Sequence, residues 1–256
     1  MVEQISICEE DYYIPDANLL VTEDDTPLVN FASEKQQRLL VGSAYSAIKE
    51  LAFLAAANVG IYYTDLKPAI VPDVFLSLDA QLPEDWWEKN NRCYMVWRFG
   101  KSPEIAIEIV SNKEGGELEK KLRIYELMRV SYYVVYDPSH QLGEQVLRIY
   151  ELRGRHYVET GTWLEDVGLG LTLWQGEFEG RQDTWLRWCD RDGNLLLTGD
   201  ELAEQERLAK EQAEQRAEQS EQRAEQSEQR AEQAEQRAEQ LAERLRAMGI
   251  DPDSLS

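Results

Sequence analysis

The sequence contains few of the residues that build thiolate metal sites or disulfide frameworks. Its 256 residues include three cysteines, and no two of them have a CxxC spacing: Cys8, Cys93 and Cys189. An odd number of widely spaced cysteines indicates neither a zinc site nor a disulfide scaffold. The first residues lack the basic segment and apolar run of a secretory signal, and Lys49, Glu50 and Gly60 interrupt the apolar stretch 39–63. We therefore expect a cytoplasmic protein without membrane association.

Aromatic residues are missing from one part of the chain. All 7 Trp, 12 Tyr and 5 Phe precede Asp200, and none follows it. Large aromatic side chains supply much of the surface that a core buries. Residues 1–30 are acidic and punctuated by Pro15 and Pro27, which is typical of a loop. We predict an N-terminal arm at 1–30, a globular domain at 31–199 and a helical tail at 200–256.

An excess of basic charge is also missing. The formal net charge is −22, and residues 200–256 contribute −8 of it with 16 acidic and 8 basic side chains. Proteins that coat nucleic acid non-specifically need clustered Lys and Arg, so this class is disfavoured. A nuclease is not excluded, because a bound metal ion offsets the carboxylates that hold it and does not enter the count.

The hydrophobic pattern of the domain predicts alternating helices and strands. Apolar residues return at helical spacing from a capping-box-like Ser33 and Gln36 as far as Leu54. Residues rich in β-branched and aromatic side chains predict strands at 59–63, 69–76, 105–110 and 132–136, and a helix is predicted at 117–129. This order favours an α/β fold with a mixed sheet and a crossover helix packed on it.

A second pattern follows residue 147. Short alternating segments at 147–151, 156–160, 171–174, 185–189 and 195–197 are separated by glycine-containing turns. Such spacing predicts antiparallel β structure. We expect it to extend or cover the sheet within the same domain.

The tail contains a literal heptad repeat, Arg-Ala-Glu-Gln-Ser-Glu-Gln, at 216–222 and again at 223–229. One seam position of a heptad would hold small residues and a leucine, namely Ala217, Ala224, Ala231, Ala238 and Leu245. The other would hold Ser220, Ser227, Ala234, Leu241 and Met248. Two interpretations fit this pattern about equally. The helix could form a coiled coil and thereby a homo-oligomer, or it could be a solvated single helix held by its own Glu/Arg pairs.

Two carboxylates stand out against apolar surroundings. Asp73 follows Pro72 beside a predicted strand, and Glu108 interrupts the run 105–110. Buried carboxylates need a cation, a metal or a hydrogen-bond partner, and Mg²⁺ prefers oxygen ligands. The two acids could therefore share one divalent ion. Taken alone, the residues favour a turn-capping Asp73 and a buried ion pair between Glu108 and Lys121 over a metal site.

A hydrolase also needs a group that orients water or stabilises developing charge, and a lysine can supply it. Lys113 lies in the loop after the second acid. Lys121 lies on the following helix, and its neighbour Lys120 points roughly 100° away on an ideal helix. Both Lys113 and Lys121 are candidates.

Several segments together resemble the Uma-two (DUF820-type) family of restriction-endonuclease-like proteins, in the PD-(D/E)xK nuclease superfamily. The resemblance is most specific over residues 70–138 and extends more loosely over 30–190. It is carried, in order, by Pro72-Asp73-Val74, Ile107-Glu108-Ile-Val-Ser111, Lys121-Leu-Arg-Ile-Tyr125, Val130-Ser-Tyr-Tyr133 and Val135-Tyr-Asp137-Pro138.

The resemblance implies a restriction-endonuclease-like fold and an endonuclease that cleaves DNA with Mg²⁺ or Mn²⁺. Asp73 and Glu108 correspond to the metal-binding acids, and Lys121 corresponds to a lysine moved to the helix. Residue 110, a lysine in the undisguised motif, is Val110 here. Glu34 lies near the place of an extra helical acid. A catalytically inactive scaffold that assembles through its tail is the alternative, because fold does not establish activity.

Overall fold

A computed structural model describes residues 30–113 and 115–247 of the chain. The predicted arm at 1–30, apart from its last residue, and Met248 of the predicted seam lie outside these residues. The chain divides into two compact units, Met1–Gly199 and Asp200–Ser256. Each unit is described by itself.

The first unit contains a mixed sheet of six strands. Their spatial order is β1 (Phe53–Ala57), β3 (Val74–Leu78), β5 (Ile105–Ile109), β6 (Tyr132–Tyr136), β7 (Leu147–Arg153) and β8 (His156–Glu159). Only β5 and β6 run parallel among these pairs. A π-helical turn, Glu117–Lys121, and helix α3, Leu122–Met128, connect them. The predicted mixed sheet with a crossover helix is thus confirmed.

The remaining elements of this unit surround the main sheet. Strands β9 (Trp163–Leu164), β10 (Leu169–Phe178) and β11 (Arg181–Cys189) form an antiparallel sheet. Strands β2 (Ile61–Tyr62) and β4 (Tyr94–Met95) form a short parallel pair. The helices are α1 (Phe31–Ala47), α2 (Val96–Phe99) and a 3₁₀ turn (Lys89–Asn91). Strands β7 and β8 extend the main sheet, whereas β9 to β11 form a sheet of their own.

Helix α1 differs from its prediction at both ends. It begins at Phe31, and the side chain of Asn30, not that of Ser33, caps it by accepting a 2.8 Å hydrogen bond from the Ser33 amide. It ends at Ala47, so the prediction that the helix continues to Leu54 was wrong. Residues 53–57 instead form edge strand β1, because pairing with β3 overrides the helix propensity of three successive alanines.

The strands of the main sheet separate two cores. Alternate residues of β5, Ile105, Ile107 and Ile109, pack with α1 and with residues of β10 and β11. The intervening Ala106, and Val110 just beyond the strand, pack on the opposite face with residues of α3. Glu108 belongs to this second face by the same alternation, as does Asp73, which is two residues before Phe75.

Helix α4, Gly199–Ala247, contains all described residues of the second unit, and its 49 residues are almost all exposed. Arg207 pairs with Glu204 and Glu211 on its own surface. Such i,i+3 and i,i+4 pairs support a solvated helix. In the described part of the chain, no helix combines the length and apolarity needed to span a membrane.

Candidate active site

Strand pairing brings Asp73 next to Glu108. Val74 is opposite Ile107 in the antiparallel β3–β5 pair. Asp73, the residue before Val74, therefore lies opposite Glu108, the residue after Ile107. The Oδ2 atom of Asp73 accepts a 2.7 Å hydrogen bond from the Ile109 amide. Its Oδ1 atom accepts a 2.6 Å hydrogen bond from Gln37 Nε2 on α1. Both carboxylate oxygens are therefore held in fixed positions at the end of the strand.

Glu108 lies under helix α3 with 2% of its surface exposed. Its Oε1 atom accepts a 2.7 Å hydrogen bond from Tyr125 Oη. Its Oε2 atom is 2.8 Å from the Lys121 Nζ atom. The buried carboxylate is thus partnered at both oxygens, as burial of a charge requires.

The π-helical turn supplies both Lys121 and a third carboxylate, Glu117. The Lys121 Nζ atom is 3.3 Å from Glu117 Oε1. Gly115 leaves room for Glu117, because a Cβ at that position would lie 1.8 Å from its Oε1 atom, and Gly116 has φ +68°. Two glycines thus permit the backbone path that places Glu117 beside the lysine. π-Turns are often found at functional sites.

Burial and charge shift the ionisation of these groups. Burial raises the pKa of Glu108 to about 7, although Lys121 opposes the shift and Asp73 reinforces it. Burial also raises the pKa of Asp73 against the hydrogen bonds from Ile109 and Gln37. Burial acts to lower the pKa of Lys121, but Glu108 and Glu117 outweigh it, and the net pKa is raised. The lysine is therefore a cation held among acids.

Three predicted residues, Asp73, Glu108 and Lys121, converge, whereas two others lie elsewhere. Lys113 is exposed in the loop after β5, and within residues 30–113 and 115–247 no ion pair joins it to either acid. Glu34 contacts Arg38 on an exposed part of α1. Asp137 is buried and accepts hydrogen bonds from two backbone amides of the following turn.

Sequence reasoning missed four residues around the acids. Gln37 and Asn58 exchange amide hydrogen bonds at 2.7 and 3.2 Å, and Gln37 also binds Asp73. Glu117 and Tyr125 contact Lys121 and Glu108. The spacing of Glu117, Lys121 and Tyr125 by four residues was a usable signal, because i,i+4 residues share a helix face. No signal in the sequence linked Gln37 to Asp73.

The donor atoms fit a small hard cation. Mg²⁺ is commonly bound by one or two carboxylates with waters completing the shell, and Asp73 and Glu108 offer oxygens only. The Oε2 atom of Glu117 is buried and accepts no hydrogen bond among the described residues. A bound cation, or water attached to it, would relieve this oxygen. No group of three or more His, Cys, Asp and Glu in the same residues forms a metal cluster, so a site here rests on two acids.

Comparisons with known proteins agree with the motif pattern. The sequence model of the Uma2 family, described as "Putative restriction endonuclease", matches residues 9–174, more than half of the chain. The chain belongs to the Uma2 family. The resemblance inferred from the motifs is thereby confirmed. The matched region of this Uma2 chain includes Asp73, Glu108 and Lys121 and ends before the helical tail.

A solved structure and the curated proteins complete the comparison. The Uma2 chain is similar to a crystal structure titled as a putative nuclease belonging to DUF820 from Anabaena variabilis ATCC 29413. The two share 15% sequence identity with a TM-score of 0.38, over 52% of this chain and 69% of that one. No curated protein matches the chain.

Proposed function

We propose that this protein is a metal-dependent DNA endonuclease that hydrolyses phosphodiester bonds at a PD-(D/E)xK-type site. The observation that supports it is the convergence of Asp73, Glu108 and Lys121 from the start of β3, from β5 and from the π-turn. Membership in a family of restriction-endonuclease-like proteins supports the same reaction class.

Each of the three residues has a distinct role in this proposal. Asp73 and Glu108 would hold Mg²⁺ or Mn²⁺, which when bound supplies Lewis-acid stabilisation of the phosphate and lowers the pKa of a bound water. The Lys121 Nζ atom, charged and fixed by Glu108, would orient the attacking water or stabilise charge developing on the phosphate oxygens. The Ile109 amide and Gln37 keep Asp73 oriented by occupying one lone pair of each oxygen.

Cleavage of supercoiled plasmid DNA with Mg²⁺ or Mn²⁺ tests the proposal. We expect Asp73→Asn, Glu108→Gln and Lys121→Met each to reduce the rate by at least about 100-fold, since each removes a metal ligand or a charge-stabilising donor. Plasmid cleavage that survives Asp73→Asn or Glu108→Gln overturns the assignment.

The chain offers matched controls for these substitutions. Asp79→Asn changes an exposed carboxylate beyond the other end of β3, at a residue with φ 53°, a conformation that asparagine tolerates. Lys120→Met changes the exposed neighbour of Lys121. Lys113→Met examines the second candidate lysine. We expect all three variants to cleave at the wild-type rate.

A non-catalytic scaffold is the second candidate function. It is favoured by one observation: Glu108 already has a protein partner at each oxygen, as in a purely structural ion pair. Calorimetry with Mg²⁺ and Mn²⁺ separates the two functions. Binding by the wild type that is lost in Glu108→Gln supports the metal site, and no binding of either ion supports the scaffold.

A further inference from the structure

An aromatic cavity of about 660 Å³ lies on the same face of the main sheet as the candidate acids. Phe75 forms part of its wall and is two residues beyond Asp73 along the chain, roughly 7 Å in an extended strand. Val59, next to the Asn58 that binds Gln37, also lines it. The cavity lining therefore includes chain neighbours of Asp73 and of Asn58.

The cavity is lined by aromatic side chains, of which Phe75 and Tyr94 are buried and two tryptophans are open to solvent. Tyr94 stacks on Phe99 with ring centroids 4.2 Å apart, and Phe75 meets Tyr94 edge to face. Trp86 and Trp87 also line the cavity and are 52% and 78% exposed. Water-exposed tryptophans beside a preformed aromatic wall are suited to a planar ligand that stacks on them.

The polar residues of the lining narrow the chemistry of that ligand. Among the residues that the structure describes, the lining contains one charged residue, Arg92, and no acidic one, although the whole chain has a net charge of −22. Asn91 also lines the cavity, and its buried Oδ1 atom accepts no hydrogen bond among the described residues. An unsatisfied acceptor favours a ligand that donates hydrogen bonds.

We propose that this cavity, formed by Phe75, Trp86, Trp87, Asn91, Arg92 and Tyr94, binds one unstacked nucleobase of the nucleic acid whose backbone lies at the candidate acids. A nucleobase combines a stacking face, an edge with hydrogen-bond donors and an attached phosphate. The inference rests on the proposed nuclease function. It narrows the substrate to single-stranded or locally unpaired DNA, because the bases of an intact duplex are stacked on their neighbours.

Binding without cleavage tests the pocket separately from the active site. The full chain is titrated in EDTA and ~0.1 M salt, where screening beyond about 10 Å weakens repulsion by the acidic surface. Three probes each contain one 2-aminopurine. One is a short single-stranded oligonucleotide, one is a duplex in which this base is paired, and one is a duplex in which it is mismatched. We expect the fluorescence of 2-aminopurine to be quenched when the single strand binds. We also expect the mismatched duplex to bind more tightly than the paired one.

Substitutions in the pocket give the expected size of the effect. Trp87→Ala should weaken binding of the single strand about tenfold, or ~1.4 kcal/mol, which lies within the range for base–aromatic stacking. Trp87→Phe should keep most of the affinity, and Asn91→Ala should lower it several-fold. Trp163→Ala is the matched control, because Trp163 lies on β9 and does not line the cavity.

The outcomes separate the two proposals. Plasmid cleavage with oligonucleotide binding that is unaffected by Trp87→Ala overturns the base pocket and leaves the nuclease standing. Trp87-dependent binding by a protein that cleaves nothing supports the pocket and contradicts the nuclease. The pocket proposal is overturned if no oligonucleotide binds. It is also overturned if light scattering shows that Trp87→Ala changes the molecular mass, because the cavity would then be a contact between copies of the chain.

Discussion

Burial of the Glu108 carboxylate lowers the stability of the metal-free protein. Its pKa is about 7 in the folded chain and 4.5 when unperturbed, so between these values the folded protein holds a proton that the unfolded chain releases. The contribution of Glu108 to stability therefore falls as pH rises from about 4.5 to 7. The total is on the order of 3 kcal/mol at ~1.36 kcal/mol per pKa unit.

We therefore expect Glu108→Gln to be more stable than the wild type at pH 8 without metal, and the difference to shrink toward pH 4.5. Urea unfolding midpoints across this pH range measure it. Glu119→Gln, an exposed change in the same π-turn, serves as the control and should follow the wild type. Equal pH profiles for wild type and Glu108→Gln would show that the carboxylate is not destabilised.

Tyr125 positions Glu108 through a single hydroxyl. Tyr125→Phe removes the 2.7 Å hydrogen bond to Glu108 Oε1, and we expect a loss of about 1–2 kcal/mol in stability together with weaker Mg²⁺ binding. Tyr157→Phe is the matched control, because its hydroxyl donates at 2.8 Å to the Val130 carbonyl instead. That control should lose similar stability with unchanged Mg²⁺ affinity by calorimetry. Equal Mg²⁺ affinity in both variants would remove Tyr125 from the site.

Single residues differed in how far the sequence revealed them. Asp73 and Glu108 were recognisable because a carboxylate among apolar strand residues needs a partner. Gln37 was not, because an amide on a helix has many partners and only the fold brings it 2.6 Å from Asp73. The lysine ambiguity also required structure: Lys121 contacts Glu108, whereas Lys113 is exposed in a loop.

Gln36 is one of the side chains that attach helix α1 to the second sheet. Gln36 donates to the Leu186 carbonyl at 2.8 Å and accepts from the Leu186 amide at 2.9 Å, all in a buried position. We expect Gln36→Leu to destabilise the domain by about 2–4 kcal/mol, because two buried backbone groups of β11 lose their partners. Chemical denaturation measures the loss.

The neighbouring Lys35 provides the comparison for Gln36. It forms a partly exposed ion pair with Glu179 at 2.6 Å, and Lys35→Ala should cost less than about 1 kcal/mol. A Gln36→Leu variant no less stable than Lys35→Ala would contradict the attachment. The sequence suggested Gln36 as a capping partner of Ser33, and only the packing of α1 on β11 assigns it this different role.

The elements that sequence predicted well are those with strong periodicity and local signals. The strand at 132–136 coincides with β6, whose five residues are all buried. Leu54 was misassigned to the first helix because it continues the apolar spacing of that helix, whereas residues 53–57 form a strand that pairs with β3. Local propensity carries no information about long-range pairing, so edge strands such as β1 are the elements that are hardest to predict from sequence.

At the scale of the whole molecule, the composition of the tail predicts weak self-association at most. The seam alanines at 217, 224 and 231 are exposed on a helix rich in Glu and Gln, and alanine buries little surface in a coiled-coil interface. We expect the full chain to be a monomer at micromolar concentration. We also expect a chain ending at Gly199 to keep the unfolding midpoint of the domain, because the hydrophobic clusters of the described residues are formed within the first unit.

Replacing Ala217, Ala224 and Ala231 by leucine converts this weak seam into a test of its register. Leucine adds three carbons at each position, worth ~2 kcal/mol per side chain when buried, so the triple variant should form a stable oligomer. Light scattering over a dilution series measures the mass, with leucines at the off-seam Glu218, Glu225 and Glu232 as the matched control. Equal oligomerisation of both variants would mean that added hydrophobicity, and not the heptad seam, drives assembly. An oligomer of the wild type that persists on dilution and disappears on truncation at Gly199 would show that the small seam residues already suffice.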